Sequence, residues 1–261
     1  MRSSLRRRAS LGIAFTALGV GLTTLAAHPA AAQTTVYSNT TNFLASGYAA
    51  GGATSAAGAT DIVADDLNLL PGSAGLTVSG FTFSMANFNT ATAAAAPTVF
   101  FYSSSATTGG PGTLLAAFAF NPISLASSSV NIFNFNPTGT GLFTLPTGTL
   151  WAGMSFSNGN SGTATVAQLN KFGQGLFDAP TVGSSSDAFF QSTNPATITG
   201  NPAGGFFNFG GSPVANFGWS IRTTPAPVPE ASTTVSLGLL LALGMGGLLV
   251  AAKRKKTSIQ A

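Results

Sequence analysis

The 261-residue chain predicts an all-β fold: a single β-sandwich ectodomain, jelly-roll-like, preceded by an N-terminal signal peptide and followed by one transmembrane helix. Three observations carry this expectation. Phe, Thr, Ser, Val and Gly are abundant while Lys, Glu and Arg are scarce, a composition that favours strands over helices. Several stretches alternate with a period of two, the pattern of a half-buried strand. Both ends break that pattern with long apolar runs flanked by cations.

Residues 1–32 have the layout of a secretory signal peptide, which is removed and belongs to no fold. Arg2, Arg6, Arg7 and Arg8 form the basic lead, and Leu11 to Leu25 the apolar stretch. Ala30 and Ala32 make a small-x-small cleavage site that leaves Gln33 as the new N-terminus. An uncleaved anchor is the alternative, though the apolar stretch is short for a membrane span. Nothing after Arg7-Arg8 other than Leu11 resembles a twin-arginine signal.

Residues 33–224 are long enough for one all-β domain with a sizeable core. In "LTVSGFTFSMANF", Leu76 and Val78 share one parity while Phe81, Phe83 and Met85 share the other, so a β-bulge is expected at Gly80. In "TLWAGMSFSN", Leu150, Ala152, Met154 and Phe156 alternate with Trp151, Gly153, Ser155 and Ser157, and Asn158-Gly159 signals a hairpin turn. "VANFGWSIRTT" reads as one last strand, with Ala215, Phe217, Trp219 and Ile221 on a common face. Further strands are expected near 62–69, 97–104, 114–120, 130–136 and 188–191. Residues 45–60 and 157–186 carry little pattern and are expected to be long loops.

Residues 225–230 form a Pro-rich linker, in which Pro225, Pro227 and Pro229 keep the chain extended. Residues 231–252 hold no ionisable side chain. As a helix rising about 1.5 Å per residue they span roughly 33 Å, enough for a hydrocarbon core of about 30 Å. Lys253, Arg254, Lys255 and Lys256 open the basic tail, 253–261, and mark the cytoplasmic side of a stop-transfer segment. Gly238, Ala242 and Gly246 put small residues on one face of that helix, a spacing that permits close helix approach.

The basic balance of the whole chain belongs to these ends. Between residues 33 and 230 only Lys171 and Arg222 oppose Asp61, Asp65, Asp66, Asp178, Asp187 and Glu230, a net charge of −4. Nucleic-acid binding, which needs a basic surface on the folded domain, is not expected.

Val228-Pro229-Glu230, an apolar helix and a terminal basic cluster resemble, in order and spacing, the PEP-CTERM sorting signal of Gram-negative envelope proteins. The resemblance covers only the C-terminal segment from the linker onward. In that family an exosortase, an integral membrane cysteine-dependent transpeptidase, recognises the Pro-Glu motif and processes the anchor. The usual motif is Val-Pro-Glu-Pro; here Ala231 stands at the second proline. The resemblance implies an exported, non-enzymatic bacterial cell-surface or extracellular-matrix protein, associated with exopolysaccharide. Its implied partners are an exosortase-type enzyme and the membrane. An ordinary membrane anchor with a Pro-rich stalk is the alternative for the tail.

Chemistry is sparse. The chain has no Cys, and its one His, His28, lies in the segment expected to be removed, so thiolate and imidazole catalysis are not available to the mature protein. No P-loop or dinucleotide fingerprint occurs. No catalytic residue, cofactor or metal is assigned. In "TDIVADDLNL", Asp61, Asp65 and Asp66 could hold Ca²⁺ with backbone carbonyls. The plainer reading is a strand edge with Ile62 and Leu67 inward and the acids facing water. A surface-anchored carbohydrate-binding, lectin-like module is the alternative function, with Trp151 or Tyr102 as stacking residues; an exposed aromatic row would favour it. Two carboxylates sharing a cleft would favour hydrolysis. Asn39-Thr40-Thr41 fits a glycosylation sequon but is a chance match in a bacterial protein.

Overall fold

A computed structural model describes residues 33–137, 141–192, 203–211 and 216–224. The expected signal peptide, linker, membrane helix and basic tail lie outside these residues. Among the described residues no helix is long and apolar enough to cross a membrane. What is described is all-β, as the composition predicts: fourteen strands and one short helix.

Seven strands form the first sheet: β1 (Thr34–Ser38), β2 (Phe43–Ala49), β4 (Val78–Asn87), β8 (Ser129–Phe135), β10 (Phe172–Phe177), β13 (Asn216–Phe217) and β14 (Trp219–Thr223). They run in the order β1-β14-β4-β10-β13, with β8 on β4 and β2 on β10. The second sheet contains β3 (Val63–Leu67), β5 (Ala93–Ser104), β6 (Pro111–Ala119), β7 (Ile123–Leu125), β9 (Leu150–Ser157), β11 (Ala188–Ser192) and β12 (Gly204–Asn208). Its order is β12-β11-β3-β9-β5-β6, with β7 on β5. Every pairing in both sheets is antiparallel.

The core between the sheets comes from the alternation read in the sequence. Phe81, Phe83, Met85, Trp219 and Ile221 of the first sheet meet Val99, Phe101, Leu150, Ala152 and Met154 of the second. Phe81 and Phe101 cross the layer edge-on with centroids 5.0 Å apart, and Phe101 meets Trp219 at 6.0 Å. Each such ring contributes roughly 1.5–3 kcal/mol by leaving water. The parity slip in β4 is present. Arg222 faces Gly80 and Thr223 faces Val78, which leaves Ser79 as the extra residue of a bulge. A side chain at Gly80 would put its Cβ 2.1 Å from Asn136 Oδ1, so glycine fits where the bulge presses the strand against the residue after β8.

Other expectations are corrected. Asn158-Gly159 does not close a hairpin, because β9 pairs with β3 and β5 on either side. The Asn158 side chain instead braces a loop, accepting from the N–H of Ala164 and donating to the carbonyls of Ala56 and Ala164. That loop leads to α1 (Val166–Leu169), which opens on a capping box between Thr165 and Gln168. "VANFGWSIRTT" is not one strand: β13 pairs with β10 while β14 lies between β1 and β4. The patternless stretches contain β2 and β10. In "FGQGLF" the alternate positions are glycines, because a Cβ on Gly173 would fall 1.8 Å from the Tyr48 carbonyl oxygen.

A second apolar layer covers the outer face of the second sheet. Ile62, Ala64, Phe100, Tyr102, Trp151 and Phe190 are all buried there, with Leu114 against them. That sheet is therefore apolar on both faces, which explains the unbroken "VFFY" run in β5.

Candidate functional site: a buried carboxylate cluster

Residues expected to act in sorting, Val228, Pro229, Glu230, Ala30, Ala32 and Lys253 to Lys256, lie outside the described residues. Gln33 is described; it is exposed and directly precedes β1. Asn39 of the sequon is buried, its amide bonded to the carbonyl of Phe217 and the N–H of Trp219, so its role is structural.

The acids of "TDIVADDLNL" separate into two places. Asp61 Oδ2 accepts from Gln191 Nε2 at 2.9 Å, and Gln191 Oε1 accepts from the Tyr48 hydroxyl at 2.7 Å. Asp65 and Asp66 belong to a different group. The strand-edge reading of these acids is overturned, since β3 is interior, paired with β9 on one side and β11 on the other. Leu67 points into the core as expected, whereas Ile62 is buried in the layer on the outer face of the sheet; Asp65 shares the parity of Val63 and Leu67 and is fully buried too.

Two backbone bridges bring the rest of the cluster to β3. Ser38 pairs with Val182 and Asn68 with Ser184, which lays the chain around 182–186 along β1 and β3. The Ser185 hydroxyl then stands 2.8 Å from Asp66 Oδ1, 3.0 Å from Asn216 Oδ1 and 3.3 Å from Asp65 Oδ1. Backbone donors hold the carboxylates: Phe217 N–H reaches Asp65 Oδ2 at 2.9 Å, Asp66 N–H reaches Asp65 Oδ1 at 3.0 Å, and Ser186 N–H reaches Asp66 Oδ1 at 3.0 Å. Tyr37 on β1 is fully buried, with its hydroxyl beside Ser185 and within the field of the Asp65 and Asp66 carboxylates.

The electrostatics follow from this enclosure. Burial first, then the adjacent Asp66 charge, push the Asp65 carboxyl well above the usual carboxylate range; the donors from Phe217, Ser185 and Asp66 oppose the shift. Burial and the Asp65 charge likewise raise Tyr37. Sequence reasoning found the two acids but missed Tyr37, Ser185 and Asn216. Their separations from Asp65 in the chain carry no local pattern.

Elsewhere the chemistry is structural. Trp151 and Tyr102, the aromatic pair considered for sugar stacking, are buried in the second apolar layer. The aromatic row on that sheet face is real, but it is covered. A cavity of about 270 Å³ near the Pro71 and Pro146 turns is lined by Asn68, Leu70, Ser73 and Thr149, with no titratable side chain. Among the described residues no three His, Cys, Asp or Glu side chains converge. Comparison with known proteins gives no match: no family model, no curated protein and no solved structure resembles this chain.

Proposed function

We propose that the chain is an exported, non-enzymatic bacterial cell-surface or extracellular-matrix protein, sorted through Val228-Pro229-Glu230 by an exosortase-type membrane enzyme and associated with exopolysaccharide. The observation that carries this reading is the three-part C-terminus: an extended Pro-Glu motif, an uncharged apolar run and four consecutive cations. The fold supports it at the junction. β14 is an interior strand that ends at Thr223, so the chain leaves a firmly paired position and enters Pro225, Pro227 and Pro229 almost at once. Proline lacks the N–H that would extend the ladder, a property that suits a motif read by a processing enzyme.

The carboxylates support the non-enzymatic part. Asp61, Asp178 and Asp187 each accept a hydrogen bond within the fold, from Gln191, Ala179 and Gly210 in turn, as Asp65 and Asp66 do in their cluster. The jelly-roll-like winding belongs to the same proposal. It is supported by β3, β4, β5, β8, β9, β10, β11 and β14, which fall alternately in the second and first sheets.

Combined Pro229→Ala and Glu230→Ala substitution tests the sorting step, because neither side chain lies in the apolar span or contributes to its insertion. In the native host the wild type is expected to lose its tail and run faster on gels, whereas the variant accumulates at full length in the membrane. Equal processing of both would leave the tail as a plain anchor and end the proposal.

A further inference from the structure

We infer that a cleft on the outer face of the first sheet binds a neutral sugar chain; the inference rests on the proposed exopolysaccharide association for its class of ligand and gives that association a place on the fold. The cleft holds about 350 Å³, within the range of about 300–1,000 Å³ usual for small-molecule sites. Phe43, Ala45 and Ser46 of β2 line one side, and Ser128 and Val130, at the start of β8, the other, with Phe88 between. Val130 faces outward because Phe133 and Phe135, of the opposite parity, pack on the core. β10 and β4 separate β2 from β8, and glycine lets the walls approach across them. A Cβ on Gly175 of β10 would fall 2.6 Å from Val130 Cγ1 and 3.3 Å from the Phe43 ring, and one on Gly47 would fall 2.5 Å from Phe88 Cζ.

Two backbone features converge on this cleft. Gly47 faces Gly175 and Phe43 faces Phe177, so Leu44, Ala45 and Ser46 stand opposite Leu176 alone, a bulge that turns β2 outward. Ala45 in that bulge has a φ of 54° and Ser128 a φ of 50°; among the described residues no other non-glycine has a positive φ. Left-handed backbone at a residue that carries a Cβ is strained, and such residues concentrate at ligand sites. Here both come from segments far apart in the chain and line the same cleft.

The lining selects the ligand. The Phe43 ring is 45% exposed and rests against the buried Phe177 ring at 5.4 Å, so it offers an apolar surface already held in place. A pyranose ring presents an apolar C–H face and a rim of hydroxyls, and the exposed Ser46 and Ser128 can both donate to and accept from that rim. A lipid chain would leave those serine hydroxyls unmatched. No described lining residue is charged, and the net charge of −4 over residues 33–230 repels a polyanion, so the sugar is neutral. The cleft is open to solvent on one side, which admits a residue within a chain as well as a free sugar.

The test is binding of the purified full-length chain, in a polyoxyethylene detergent that carries no sugar, to immobilised extracellular polysaccharide of the native host, separated by anion exchange into neutral and acidic fractions. The neutral fraction should retain the wild type. Phe43→Ala should weaken that binding at least about tenfold, and Ser46→Ala combined with Ser128→Ala roughly 3- to 30-fold. The serine pair, on the surface, keeps the test valid should Phe43→Ala lose stability through its contact with Phe177. Phe207→Ala removes a ring of matching exposure, 46%, from the other sheet and should bind as the wild type does. No retention of the wild type by the neutral fraction, or undiminished binding by either cleft variant, overturns the site. Stronger, salt-sensitive retention by the acidic fraction overturns the neutral class, and a dimer in sedimentation that Phe43→Ala abolishes overturns the sugar in favour of a second copy of the chain. The sorting proposal fails separately, at the protein's termini, so a correctly processed chain that binds no sugar refutes the cleft alone.

Discussion

Gly80→Ala is the perturbation whose cost can be worked most fully from the structure. The added Cβ would lie 2.1 Å from Asn136 Oδ1 and 2.8 Å from the Phe135 carbonyl oxygen. The first contact can be relieved by swinging the Asn136 side chain away, but that side chain accepts from Arg222 Nη2 at 2.7 Å. Losing a hydrogen bond to a charged group costs about 1.5–3 kcal/mol, and the lower end applies because this one is exposed. The second contact is with the backbone of β8, whose Phe135 is paired with Phe81, so it can be relieved only by separating the strands. Overpacking of that kind adds about 1–3 kcal/mol. Against this, the stiffer unfolded chain returns about 0.4–1 kcal/mol, since Gly80 does not adopt a positive φ. The net expectation is a loss of about 2–4 kcal/mol. Urea unfolding followed by tryptophan fluorescence measures it, because Trp219 is fully buried beside the bulged strand. Asn136→Ala in the same chain should make the two losses less than additive, as the clash and the hydrogen bond share one side chain. Wild-type stability in Gly80→Ala would refute the assignment of the bulge.

Two further expectations concern the core. Phe81→Ala should cost about 3–5 kcal/mol in the same assay, while Ile132→Ala, at 43% exposure, should stay within about 0.5 kcal/mol. Burial raises the Tyr102 hydroxyl well above the usual tyrosine range, so the folded state holds its proton more tightly than the unfolded chain does. That contribution is complete below about pH 10 and is lost as pH rises above it, so the unfolding midpoint should fall in alkali and fall less in Tyr102→Phe. Tyrosinate absorbance from residue 102 in a still-folded protein near pH 10 would contradict this.

Much of the sandwich was legible because its information is local. The parity slip around Gly80 and the alternation in β9 depend only on neighbouring residues, and both appear in the pairing. β2 and β10 were not legible. "FGQGLF" carries glycine where the partner backbone comes close, so its period-two signal has no side chains to express it. Gly218 divides the last apolar run for a related reason: a Cβ there would meet Phe177 at 2.4 Å, and the chain changes partners at that point. Asp65 was expected to face water because charge is normally solvated. It turns inward because β3 is interior and because backbone N–H groups and Ser185 receive it. Ser185 and Asn216 reach it only through tertiary pairing, which no spacing in the chain encodes. The residues proposed to act in sorting are read from the sequence alone and lie outside the described residues.

Mass spectrometry of the two termini of the protein isolated from its native host tests the central claim most directly. The account predicts an N-terminal peptide beginning at Gln33 and a C-terminus that lacks residues 231–261, so that the four-cation cluster is gone. Recovery of a chain with Met1 at one end and Lys253 to Lys256 still attached at the other would contradict it.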